Sequence, residues 1–108
     1  MFSRYVSLHL KPNMLADFTT VFENEVVPML RKQAGFRDEV VLAGDNTNNV
    51  TAISFWDTKE QADAYATNAY PGVVKALDKF MDGPPKVRVS TVISSTMHKL
   101  TAASVVAA

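Results

Sequence analysis

The sequence predicts an α+β fold in which four strands and two helices follow one another in the order β-α-β-β-α-β. Three observations carry that prediction. Residues 3–10 alternate between two classes of side chain, the period of a strand with two different faces. Residues 14–34 change to an apolar residue every third or fourth position, the period of a helix. A run of turn formers from Gly44 to Asn49 then separates two stretches rich in β-branched and aromatic residues, as in a hairpin.

In the first strand, Val6, Leu8 and Leu10 fall on one face and Tyr5, Ser7 and His9 on the other. Lys11-Pro12-Asn13 ends it, because proline cannot donate to a ladder and Asn13 is suited to cap the helix that follows. In that helix Leu15, Phe18, Phe22, Val26, Met29 and Leu30 form one apolar stripe. Pro28 lies inside the stripe, lacks a backbone donor and crowds the carbonyl four residues back, so a kink or break is expected near Asn24–Val27. Arg31 and Lys32 suit the negative end of the helix dipole, and Gly35 is placed to take the left-handed conformation that closes a helix.

Phe36–Ala43 reads as the second strand and Val50–Trp56 as the third. Either Asp57, with Glu60 three residues on, or Thr58, with Gln61, caps the second helix. Its stripe of Ala62, Tyr65, Ala66 and Ala69 is interrupted by Tyr70-Pro71-Gly72 and resumes with Val73, Val74, Leu77, Phe80 and Met81, which predicts a helix in two pieces. Gly83-Pro84-Pro85 breaks the chain, and Val87–Met97 alternates as the last and longest strand. Residues 1–98 are expected to form the domain, with 99–108 a loose tail or an exchanged arm.

This order is the split arrangement of ferredoxin-like domains, a four-stranded antiparallel sheet with both helices on one face. Several strands carry apolar or β-branched residues on both faces. A free apolar sheet face is an association site, and a second copy across a two-fold axis is the simplest cover, so a homodimer is expected.

Composition narrows the function classes. Eleven basic residues balance eleven acidic ones, unlike the one-signed field of a nucleic-acid binder. The absence of cysteine removes thiolate nucleophiles, disulfides and cysteine metal sites. No apolar run approaches the ~20 residues that span a bilayer, and residues 1–5 lack the pattern of a signal peptide, so a cytoplasmic protein without membrane partners is expected.

Three local motifs go beyond generic patterning. They are Val27-Pro28-Met29-Leu30-Arg31-Lys32-Gln33-Ala34-Gly35-Phe36, then Ile53-Ser54-Phe55-Trp56-Asp57-Thr58-Lys59-Glu60-Gln61-Ala62, and Ala64-Tyr65-Ala66 one turn later. In this order they resemble the antibiotic biosynthesis monooxygenase-like (ABM) group of the dimeric α+β barrel superfamily, over roughly residues 3–97. The resemblance implies a homodimer whose sheets form a barrel, with a pocket in each subunit between sheet and helices. It also implies an activity class, which includes oxygenases that need no cofactor and act on phenols and quinols. The heme-degrading branch carries Asn on the first strand and Trp and His on the second helix. The corresponding positions here hold Val6, Tyr65 and Lys75, so heme degradation is not the expectation.

Within that frame the candidate catalytic residues are His9 and Tyr65. His9, one of two histidines, could act as a base on a phenol, a role open to imidazoles in general, though a barrel-facing or interface histidine bonded to a neighbour is the plainer reading. Trp56, Asn68 and Tyr70 are the candidate substrate-binding residues: Asn68 as a pocket amide beside the helix break, and Trp56 and the tyrosines with a plainer reading as packed aromatics. His9 and His98 lie on different strands with no third ligand, so no metal is expected, and no phosphate loop or nucleophile elbow is present. The expected function is a cofactor-independent monooxygenase acting on a small aromatic or quinol-type molecule. The alternatives are a non-catalytic dimeric ligand-binding or stress-response protein, and an isomerase or decarboxylase using His9 or Tyr65.

Overall fold

The computed structural model describes residues 1–45 and 47–100. Strands β1 (Phe2–His9), β2 (Phe36–Ala43), β3 (Asn49–Trp56) and β4 (Lys86–Thr91) form one sheet in the order β2-β3-β1-β4. Every neighbouring pair is antiparallel. The first helical region comprises α1 (Leu15–Val21), a π-helical turn (Phe22–Val26) and α2 (Val27–Arg31). The second comprises α3 (Lys59–Asn68), α4 (Tyr70–Leu77) and a 3-10 turn (Asp78–Phe80). The element order and the sheet are those the sequence predicts.

The core forms where one sheet face meets the helices. Phe2 and Leu8 of β1 and Val50 and Trp56 of β3 pack there against Phe18, Phe22, Val26, Leu30, Tyr65, Val73 and Leu77. The kink expected near Pro28 takes the form of the π turn. Val27 N–H donates to the carbonyl of Phe22, five residues back, and Pro28 follows with no N–H to place. Gly35 has φ 80°, as its place after the helix requires, and its carbonyl accepts from Asp57 N–H at 2.9 Å.

Of the two candidate caps, Thr58 does the capping. Its hydroxyl accepts from Gln61 N–H at 3.2 Å, while Asp57 turns away to a two-pronged ion pair with Arg37. The expected break at Tyr70-Pro71-Gly72 separates α3 from α4.

Two expectations need correction. Asn13 does not cap the first helix: it takes φ 64° in the turn after Pro12, and the helix starts behind Met14 with no side-chain cap. The last strand stops at Thr91 instead of running to Met97, and it is not the longest. Among the described residues it pairs with β1, where Thr91 faces Phe2, and Val92 N–H bonds the carbonyl of Met1 just past the last paired residue. The following segment turns over the sheet face away from the helices, where His98 lies 6.4 Å from the Phe55 ring and 3.7 Å from the Asp38 carboxylate. The tail or arm expected from residue 99 falls, beyond Leu100, outside the described residues.

A candidate active site between sheet and helices

A cavity opens on the helix-facing side of the sheet. Its void is about 470 Å³ counted out to its mouth, of which about 40 Å³ is wide enough for the centre of a water molecule. Val6, Leu8, Phe22, Leu30, Val73 and Leu77 make its walls predominantly apolar. Five polar or phenolic groups interrupt them: Arg4, Glu39, Tyr65, Tyr70 and, on the floor, Ser54.

The sheet register places three of these in one row. Arg4 of β1 pairs with Ser54 of β3, and Ser54 pairs with Glu39 of β2. Neighbouring strands lie about 4.8 Å apart, so Arg4 and Glu39 stand about 10 Å apart along the backbone with Ser54 between them. Arg4 shares its face with Phe2 and Leu8 by simple alternation, and it is buried to 5% exposure. Glu39 arrives inside by a different route. A β-bulge between Phe36 and Asp38 inserts Arg37 as an extra residue, so Asp38 faces Phe55 and Glu39 faces Ser54. One unit of offset turns every following side chain over.

Tyr65 and Tyr70 form the opposite wall. The Arg4 guanidinium carbon lies 4.7 Å from the Tyr70 ring centroid and 5.5 Å from that of Tyr65, within cation–π range. Tyr65 stacks on Trp56 at 4.8 Å, and Trp56 Nε1 donates to Ser54 Oγ at 2.9 Å. Trp56 is fully buried one layer behind the cavity and holds both Tyr65 and Ser54 in place. Three buried polar atoms of the cavity have no hydrogen-bond partner in the structure: Arg4 Nε, a Glu39 carboxylate oxygen and the Tyr70 hydroxyl. Burial pushes the Glu39 carboxyl up to about 8, with the charge of Asp38 adding to the effect. Burial also raises the Tyr65 and Tyr70 hydroxyls, against the opposing pull of Arg4, so both keep their protons and act as donors at neutral pH.

Of the five residues singled out from the sequence, Tyr65 and Tyr70 meet at the cavity with ring centroids 6.0 Å apart, and Trp56 supports them. His9 and Asn68 do not join them. His9 points from the opposite face of the sheet, is exposed, and has its Nδ1 2.8 Å from Asn49 Oδ1. The alternation that sets His9 apart from Val6 and Leu8 already requires this. Asn68 is exposed and lines a separate groove between the helices, beside Met29 and Gly72. Arg4 and Glu39 were not singled out. The parity of β1 was signal enough for Arg4, whereas Glu39 depends on a bulge that no residue pattern announces. Among the described residues no three of His, Asp and Glu gather to hold a metal ion, and no helix is long and apolar enough to cross a membrane.

Comparison with known proteins agrees with this architecture. The family model described as antibiotic biosynthesis monooxygenase matches residues 1–72. A monooxygenase from the gene ActVA-Orf6 of Streptomyces coelicolor, solved with the ligand nanaomycin D, superposes with a TM-score of 0.74 at 17% identity, covering 91% of this chain and 92% of that one. A candidate antibiotic biosynthesis monooxygenase from Bordetella bronchiseptica gives 0.73 at 16% identity, over 86% and 97% of the two chains. A protein of unknown function from Nitrosomonas europaea, NE2512, gives 0.69 at 17% identity, over 94% of each. At such identities the likeness shows the fold. No curated protein sequence matches the chain.

Proposed function

We propose, starting from the fact that the chain belongs to the antibiotic biosynthesis monooxygenase family, that it is a monooxygenase that inserts one atom of dioxygen into a small aromatic or quinol-type substrate without a bound cofactor. The observation that carries this reading is the cavity itself: an apolar chamber with a cation, a carboxyl and two phenolic donors on its inner wall. For a phenol with an open ring position the balance closes on the substrate alone. One dioxygen takes four electrons from the ring, one oxygen atom becomes the new quinone carbonyl, and the other leaves as water. The protein's share is to exclude water, hold the ring and manage the hydroxyl proton. Tyr65 and Tyr70 supply donors for substrate oxygens. Val6, Phe22 and Leu77 supply a dry wall for the ring.

The test is oxygen uptake with a panel of quinols, anthrones and polyphenols, using protein treated with chelator and freed of flavin. The reading expects turnover of at least one compound, label from ¹⁸O₂ in the product, and about a tenfold or greater fall in Tyr70→Phe. No turnover across the panel, or turnover only on adding flavin or metal, overturns it. A second reading, a ligand-binding protein without catalysis, is favoured by the narrowness of the chamber, whose 40 Å³ of water-sized space must widen for a ring to enter. Tight binding of panel members without oxygen uptake would select it.

The same reading includes a homodimer. The sheet face away from the helices presents Tyr5, Val40 and Ile53 in one row, beside Phe55 with His98 next to it, an apolar surface suited to a second copy of itself.

A further inference from the structure

We propose that Arg4 and Glu39 work as a pair on an acidic hydroxyl, phenolic or enolic, that enters the cavity: Glu39 takes the proton and Arg4 holds the oxyanion. The inference rests on the cavity being the substrate site and adds the residues that select and ionise the substrate. A buried guanidinium and a carboxyl sharing one chamber ordinarily close on each other, because each left without a partner is costly. Here they do not. The structure has no ion pair between them, and Arg4 instead lies over the two tyrosine rings. Arg4 Nε and one Glu39 oxygen are left buried without partners, and so is the Tyr70 hydroxyl. Arg4 and Glu39 flank Ser54 on the cavity floor, and Tyr70 looks onto the same chamber. A ligand oxygen placed between them meets a cation, a proton acceptor and a donor at once.

The proton count closes. The substrate O–H bond breaks, a carboxyl O–H bond forms on Glu39, and the negative charge moves from the carboxylate to the substrate oxygen beside Arg4. The cavity keeps the same total charge throughout. The electron-rich oxyanion so formed is the species that dioxygen can oxidise. Other charged groups near Glu39 lie to one side. Asp38 and Arg37 precede it on β2, and Glu23 and Arg31 line an outer groove that Glu39 also borders, whereas Arg4, Tyr65 and Tyr70 face it from within the chamber.

The test uses binding and needs no turnover. The probe is 4-nitrophenol, whose phenolate absorbs in the visible, titrated into the 108-residue chain from about a unit below to about a unit above the Glu39 value of about 8. In the wild type the affinity for the phenolate should fall about tenfold as pH rises through that value, because ionised Glu39 puts a second anion in the chamber. In Glu39→Gln the fall should vanish. Arg4→Gln should weaken phenolate binding about tenfold or more at every pH, and Arg4→Lys, which keeps the charge, should restore most of it. Circular dichroism verifies that each variant is folded, and Arg4→Lys keeps the test valid if Arg4→Gln is not. An unchanged pH profile in Glu39→Gln, equal phenolate affinity in Arg4→Gln, or no binding of the probe would overturn the pair. Oxygen uptake lost while this pattern stands would count instead against the oxygenase reading.

Discussion

Glu39 is the residue on which the proposed chemistry of the site turns, and its ionisation is also tied to stability. Folding raises its carboxyl from 4.5 to about 8, so between those values the folded chain binds a proton that the unfolded chain has lost. Stability is therefore full below about pH 4.5 and falls as pH rises through about 8, by up to about 5 kcal/mol. Glu39→Gln removes the titration while keeping the shape. Thermal melts across that window should show the wild type losing more stability than the variant, with the variant at least as stable at pH 8. A parallel decline in both proteins would mean that Glu39 is hydrated in the fold. Arg4, by contrast, sits on the same parity as Val6 and Leu8, and a polar residue in an apolar row is the mark of a functional position that can be read from sequence. His9 stands on the opposite side of the same alternation, away from the cavity.

At the scale of elements, the junction around Gly35 decides how the first helix delivers β2. Gly35 has φ 80°, and a Cβ there would run into the Gln61 side chain of α3. Gly35→Ala should cost about 1–3 kcal/mol in urea unfolding, from backbone strain together with the clash. Gln61→Ala in the same chain should recover only the part due to the clash with the amide end of that side chain, since the strain stays and so does a 2.9 Å approach to the Cβ of residue 61. Full recovery would show that the left-handed backbone carries no penalty. This junction was legible in the sequence, because helix stripe, last-turn cations and glycine agree on one end point. The bulge just after it was not. Phe36–Ala43 reads as a strand under either register, and only the pairing of Arg37 with Asp57 and of Phe36 with Trp56 shows where the extra residue goes. The end of β4 was hidden for a related reason. The alternation of Val87–Met97 marks a segment able to be a strand, but a strand also needs a partner, and the pairing with β1 covers only Lys86–Thr91.

The whole molecule divides its work between the two faces of one sheet. One face meets the helices and encloses the cavity; the other carries Tyr5, Val40, Ile53 and Phe55 and is proposed to meet a second copy. Light scattering on the eluting protein should give twice the chain mass of 11.9 kDa, and Ile53→Lys should shift it toward one. Tyr65 and Tyr70 face the chamber, so the same substitution should leave the probe's binding site in place. The element order was readable because each local pattern agreed with it. The site was less so, because it is assembled from three strands and two helices through pairings that no single segment contains. The central claim is that ligands enter on the helix-facing side, at the row of Arg4, Ser54 and Glu39. The most direct measurement is a backbone and side-chain NMR titration with 4-nitrophenolate. The largest shift changes are expected at Arg4, Glu39, Ser54, Tyr65 and Tyr70, with His9 and Asn68 unmoved; changes centred on His9 and the opposite sheet face would contradict that placement.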